Sequence, residues 1–295
     1  MARVVKWVFF ALFVAICNAE ETEERSKRAT TVWSLSSVPH SSHVSTILGH
    51  FKPIYHDWGD DSISTSTKHS SSRALRIFYE KGSYSKVHDH RGAGFYSRPS
   101  AISSSVDAMI LKYDVYFENF GFGIGGKLPG LFGGENGEGA YKCSGGSNPS
   151  SCFSLRLMWR KDGDGELYAY IPTNQESGFK DRDDVIAHST YGQSLGRGKF
   201  RFMNNKWHSI SEEVHINTVG KTDGWVKICV QAEGHSQQCY TANHLRMRNT
   251  NSHHLRGMFF STFFGGSEKS YAAPNDCYSY FKNFQILTPS HAVVG

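Results

Sequence analysis

Lys127 is the only charge in a glycine-dominated stretch, Gly121 to Gly134. Further along, Ser154 and Arg156 stand two positions apart, and so do Tyr168 and Tyr170. Gathered on one surface, a lysine, an arginine, a serine and two phenols suit a negatively charged substrate. Cations beside a carboxylate neutralise it and make the proton on the adjacent carbon easier to remove, and they hold the enolate-like charge that follows. Arginine adds a planar fork that grips a carboxylate at two points. A phenol has an ordinary pKa of about 10, which nearby cations favour lowering, so one phenol can take a proton and another can return one to a leaving oxygen. These are the parts of a β-elimination. Each also has a plainer use: a solvated lysine on a Gly-rich loop, and Tyr-x-Tyr as ordinary strand packing. Phosphate cradling is excluded, because the Walker spacing and its Lys-Ser/Thr pair are absent.

The elements that must carry these residues are strands. Met109, Leu111, Tyr113, Val115 and Phe117 alternate with Lys112, Asp114 and Glu118 across Ala108–Glu118, the pattern of an antiparallel strand with one wet face. Similar runs cover 154–160, 166–171, 207–216, 225–232, 257–264 and 278–287, separated by turn clusters such as Lys161 to Gly165. The stretch up to Ser72 reads as polar and Ser-rich, and no segment keeps a helical period. Alternation puts Ser154 and Arg156 on one strand face and Phe153, Leu155 and Leu157 on the other. A hairpin centred on Gly163 would set Arg156 opposite Tyr170 and Met158 opposite Tyr168. The expected fold is all-β: one domain, a two-sheet antiparallel sandwich or jelly roll.

The loop GGKLPGLFGG (Gly125–Gly134), Ser154-x-Arg156 and Tyr168-x-Tyr170 resemble, in order and spacing, the alginate lyases of herbivorous marine molluscs in polysaccharide lyase family 14. The resemblance runs through most of the chain after residue 28. It implies a β-jelly roll, no metal or other cofactor, and β-elimination of mannuronate-rich alginate or a related glucuronic-acid polymer. It also implies Lys127, Tyr168 and Tyr170 as catalytic residues, with Arg156 and Ser154 binding substrate.

Other chemistries fit less well. A glycoside hydrolase needs two carboxylates across the scissile bond, and Glu135, Glu138, Asp162, Asp164 and Glu166 qualify by type alone. His88-Asp89-His90 hints at a cupin-like metal site, but Gly94 and Phe95 stand where its glutamate would follow. A non-catalytic lectin could use the same basic and aromatic face simply to bind an acidic sugar.

Arg3 and Lys6 precede an apolar run from Val8 to Ile16, and a small residue, Ala19, follows. This is the pattern of a secretory signal peptide over residues 1–19. Residues 20–28 end in Arg25-Ser26-Lys27-Arg28, the dibasic end of a short propeptide. The working domain then spans 29–295 and is expected to be secreted and monomeric. The chain's formal charge of +5 falls to +4 without residues 1–28, which hold five cations and four acids. That mild excess suits an acidic polysaccharide, and no polybasic run marks a nucleic-acid or membrane surface. Secretion favours disulfides. Cys143 and Cys152 flank one loop, while Cys229 and Cys239 lie symmetrically about Gly234 on the two arms of a hairpin, within bonding reach. Cys277 is left as a buried thiol.

Overall fold

The computed structural model describes residues 29–85 and 89–289. The signal-peptide and propeptide segments lie outside the described residues, as does His88. Among the described residues sixteen strands, numbered along the chain, form two antiparallel sheets of a jelly-roll sandwich. One sheet runs β10 (Val185–Ile186), β11 (Gln193–Arg201), β9 (Asp164–Tyr170), β8 (Cys152–Arg160), β7 (Gly125–Gly134), β15 (His254–Phe264), β5 (Ala93–Ser97) and β2 (Pro53–Trp58). The other runs β14 (Gln238–Leu245), β13 (Gly224–Ala232), β12 (Trp207–His215), β6 (Ala108–Glu118), β16 (Cys277–Pro289), β4 (Ala74–Tyr79) and β3 (Ile63–Ser66). β1 (Ala29–Leu35) pairs with β16. The polar opening therefore holds three strands and a short helix, α1 (Val44–Gly49), that its serines disguise.

The core lies between the sheets. Met109, Leu111, Tyr113, Val115 and Phe117 of β6 face Phe153, Leu155, Leu157 and Trp159 of β8, all buried. Alternation then turns Ser154, Arg156, Met158 and Arg160 to the outer face of the first sheet.

The glycine-rich stretch departs from expectation. It is a fully buried central strand rather than a loop. Its glycines permit close approach: a Cβ on Gly126 would meet the Trp159 ring at 2.1 Å, and one on Gly130 would meet the Leu155 carbonyl oxygen at 2.0 Å. Pro129, which cannot donate to a ladder, marks a break in register with both neighbours. The extra residue puts Leu128 and Leu131 in the core and both Lys127 and Phe132 in outward-facing rows. Across the core, the Tyr113 hydroxyl donates to the Pro129 carbonyl at 3.0 Å, and the Leu131 N–H donates to Glu212 Oε2 at 2.9 Å.

Glu212 sits in this core fully buried, and burial pushes its carboxyl well above the usual range. The folded chain thus keeps a proton that the unfolded chain releases above about pH 4.3, so stability is lost as pH rises from there toward the folded value. Glu212→Gln removes that linkage. It is expected to melt higher than the parent at pH 8, by about 2–4 °C per kcal/mol recovered, and the two should converge near pH 4. Melting curves at both pH values check this; a variant that melted lower throughout would show the carboxyl to be an anion.

The β8–β9 hairpin is tighter than expected. Asp162 (φ 60°) and Gly163 (φ 85°) make the turn left-handed, and Arg156 pairs with Tyr168 and Ser154 with Tyr170. The slip from the expected register is two residues, so every side chain keeps its face. Both expected disulfides form, Cys143–Cys152 and Cys229–Cys239, the latter as directly paired strand residues, and Cys277 is a buried free thiol.

Candidate active site

Lys127, Arg156, Tyr168 and Tyr170 line one cleft of about 1070 Å³ on the outer face of the first sheet. Three cross-strand rows run beneath it. The middle row reads Tyr168 (β9), Arg156 (β8), Gly130 (β7) and Phe259 (β15). Because Gly130 has no side chain, the Arg156 guanidinium crosses it and rests 4.5 Å from the Phe259 ring centre. One neighbouring row is Glu166, Met158, Lys127 and Phe263; the other is Tyr170, Ser154 and Phe132. Ser154 does not line the cleft, and its hydroxyl donates to the Cys143 carbonyl at 2.6 Å.

Lys127 is 7% exposed and Arg156 2%. Among the described residues neither forms an ion pair. Lys127 Nζ lies 2.7 Å from Met158 Sδ and 3.8 Å from the Tyr168 ring centre. Arg156 donates to Ser261 Oγ at 3.1 Å, and its buried Nε has no partner among the described residues. Burial, then Arg156 and Arg160, push the Lys127 ammonium well down, against a smaller pull from Glu166. Two desolvated cations without a carboxylate are costly for an isolated fold. A bound anion would repay both.

The two phenols differ. Contrary to the expectation that nearby cations lower it, the Tyr168 hydroxyl is held well above its ordinary value: burial, then the neighbouring Tyr170, outweigh the pull of Arg156 and Arg160. Tyr168 is half-buried beneath Lys127, with the Arg160 guanidinium 5.9 Å from its ring centre. Tyr170 is 2% exposed and packs on the Cys143–Cys152 bridge. Its oxygen accepts the Gly146 N–H at 2.9 Å. The rings stand 5.8 Å apart on the same face of β9.

A second set of residues surrounds Glu166, which the sequence offered only as a hydrolase acid by type. Glu166 is fully buried; Arg160 reaches it at 2.6 Å, Arg197 at 2.7 Å and the Ser194 hydroxyl at 2.5 Å. Its carboxyl is held low mainly by Arg160, against the cost of burial. A carboxylate bound this way holds two arginines at the cleft and is a poor proton donor. Asp164 is paired with Arg201 at 2.8 Å, and Glu135, Glu138 and Asp162 are exposed and do not line the cleft. Met158 and Arg160 follow from the alternation that places Arg156. Ser194, Arg197 and Ser261 come from distant strands and carry no local signal. His208 is buried in the other sheet and accepts the Met203 N–H, and His215 stacks on Trp225 on that sheet's outer face; neither lines the cleft. Among the described residues no group of three His, Cys, Asp or Glu is placed to hold a metal.

A family model described as Polysaccharide lyase 14 matches residues 67–284, which take in β7, β8, β9 and β15. The chain belongs to polysaccharide lyase family 14. Among curated proteins the chain is similar to Exolysin of Paramecium bursaria Chlorella virus 1, 25% identical over 198 residues. That match takes in 61% of this chain but 29% of Exolysin, so the chain spans under a third of that relative's length. Solved structures share the fold. Alginate lyase vAL-1 from Chlorella virus superposes with a TM-score of 0.64 at 19% identity, over 88% of this chain and 100% of that one. Alginate lyase Aly36B gives 0.63 at 20%, over 88% and 98%. A double variant of Aly36B in complex with alginate tetrasaccharide gives 0.64 at 19%, over 88% and 96%.

Proposed function

We propose that this family-14 chain is a secreted alginate lyase that cleaves β-1,4-linked uronic-acid polymers, mannuronate-rich alginate above all, by β-elimination. The observation that carries the reading is the pair of buried cations, Lys127 and Arg156, which form no ion pair among the described residues and lie beside two phenols in one cleft. Family membership, the alginate bound to the Aly36B variant and the two disulfides support it.

Lys127 and Arg156 take the uronate carboxylate and hold the charge that spreads onto it as the C5 proton leaves. Tyr168, directly under Lys127, is the base. The electron pair from the C5–H bond forms the C4–C5 double bond, the C4–O4 bond breaks, and Tyr170 returns a proton to O4. The Gly146 amide on the Tyr170 oxygen is complementary to the charge that develops there as the proton departs. Both phenols meet the sugar from one side. In mannuronate H5 and O4 lie on the same side of the ring, whereas in guluronate they lie on opposite sides, so the arrangement favours mannuronate. Glucuronan has the mannuronate configuration at C4 and C5 and fits as well.

Mixing the protein with mannuronate-rich polymer is expected to raise ultraviolet absorbance, since elimination alone creates an unsaturated sugar. Guluronate-rich polymer should respond far more slowly. The rate is expected to survive exhaustive chelation, because Lys127 and Arg156 neutralise the carboxylate. Binding with no absorbance change would make the protein a lectin, and a rate restored only by a divalent ion would sink the mechanism.

A further inference from the structure

The outer face of the second sheet, on the far side of the molecule from the cleft, carries an aromatic band in register. Trp207 of β12, Tyr116 of β6, Tyr280 of β16 and Arg76 of β4 form one row. Tyr278 and Phe78 pair in the next, stacked with ring centres 5.0 Å apart. An outward sheet face is ordinarily polar. This one presents the half-buried rings of Trp207, Tyr116, Tyr278 and Phe78 across four strands, about 14 Å at the usual strand spacing, with Tyr280 buried beneath them and His69 stacked on Tyr116.

Charge distinguishes this band from a patch awaiting a protein. The Arg76 guanidinium lies 4.0 Å from the Tyr278 ring centre, and Lys282 Nζ lies 4.2 Å from that of Trp207. Among the described residues neither forms an ion pair. The acids of the band are engaged: Glu118 with Lys68, His69 and Tyr280, and Asp114 with Ser209 and Asn283. Cations held on ring faces keep their charge available. Flat apolar surface alternating with unneutralised cations complements a polymer of sugar rings that each bear a carboxylate.

We propose that this band is a second, non-catalytic binding surface for acidic polysaccharide, on which the protein holds polymer while the opposite cleft works. The inference rests on the substrate class proposed above. It makes the enzyme two-faced toward its substrate. Long chains engage both faces, and short oligosaccharides need only the cleft.

The test uses Arg76→Gln/Lys282→Gln, with Trp207→Ala as a second variant that removes a ring. Retention on immobilised alginate, read in the Lys127→Met background so that polymer stays intact, is expected to weaken about tenfold and to fall steeply with salt. Turnover of a uronate tetrasaccharide by the double variant, with Lys127 present, should stay at the parental rate. Unchanged retention in both variants overturns the proposal. A changed sedimentation coefficient at constant retention also overturns it, by assigning the face to self-association. Retention lost with Arg76 and Lys282, from a parent protein that releases no unsaturated sugar, upholds the surface and sinks the lyase. Cleavage of polymer and oligosaccharide alike, indifferent to all three substitutions, does the reverse.

Discussion

Lys127→Met is expected to cut turnover at least a thousandfold and, in the same protein, to raise the melting temperature. The rate loss follows from removing a cation at developing charge; a single such donor contributes about 10²–10³-fold, and Lys127 also neutralises the ground-state carboxylate. The stability gain follows from burial. Lys127 lies among Met158, Tyr168 and Phe263, and the nearby acid Glu166 is engaged by two arginines. Its folded pKa is depressed, so at neutral pH the unfolded chain binds the proton more readily than the folded one. Stability therefore rises with pH between the depressed folded value and the unfolded value near 10.4. Methionine removes that penalty, fills the space and makes a sulfur–aromatic contact. The gain should be about 2–4 °C per kcal/mol recovered, and it should vanish above about pH 10. Alanine is a poorer probe: the side chain is buried on a central strand rather than free on a loop, and truncation adds a cavity. Melting curves and initial rates on the same preparation check both halves. A variant that melted lower would refute the buried-charge account, and one that kept its rate would remove Lys127 from the chemistry.

Tyr168→Phe should lose at least a hundredfold in turnover, the lower bound for a general base, with its melting temperature nearly unmoved because the half-buried ring stays. Tyr170→Phe should also lose activity, but as the acid. A substrate with a better leaving group at C4, one that departs without a proton, is expected to rescue Tyr170→Phe and to leave Tyr168→Phe slow. Tyr170→Phe should in addition lose about 1 kcal/mol of stability, because the Gly146 amide loses its acceptor. Lys127 carries this assignment. Its ammonium lies 3.8 Å from the Tyr168 ring centre, whereas the Arg156 guanidinium leans across β7 to Phe259 and lies 6.0 Å from the Tyr170 ring centre. Equal rescue of both variants would overturn the division of labour.

Much of the molecule is legible in its sequence because a strand's side chains alternate whatever the strand packs against. The alternation over Ala108–Glu118 specifies the core face of β6 and the outer position of Lys112, Asp114 and Glu118. The same rule puts Arg156, Tyr168 and Tyr170 on one surface and survives a two-residue slip of register, since an even slip changes no face. The Cys229–Cys239 pair follows from hairpin symmetry alone. What depends on contacts between distant segments is not legible. Gly125–Gly134 reads as a loop because its glycines lack strand propensity, yet Trp159, Phe263 and Leu155 leave room for nothing larger. The bulge at Pro129 that sets the row of Lys127 is matched by Tyr113 and Glu212 from the opposite sheet. Ser194, Arg197 and Ser261 come into the cleft only when β11 and β15 assemble beside β9 and β7. The sequence by itself determined which side chains face outward, a property of one strand's own geometry. Only the tertiary structure decided which cations are buried without an ion pair among the described residues and which phenol Lys127 touches, because burial and pairing are set by neighbours far along the chain.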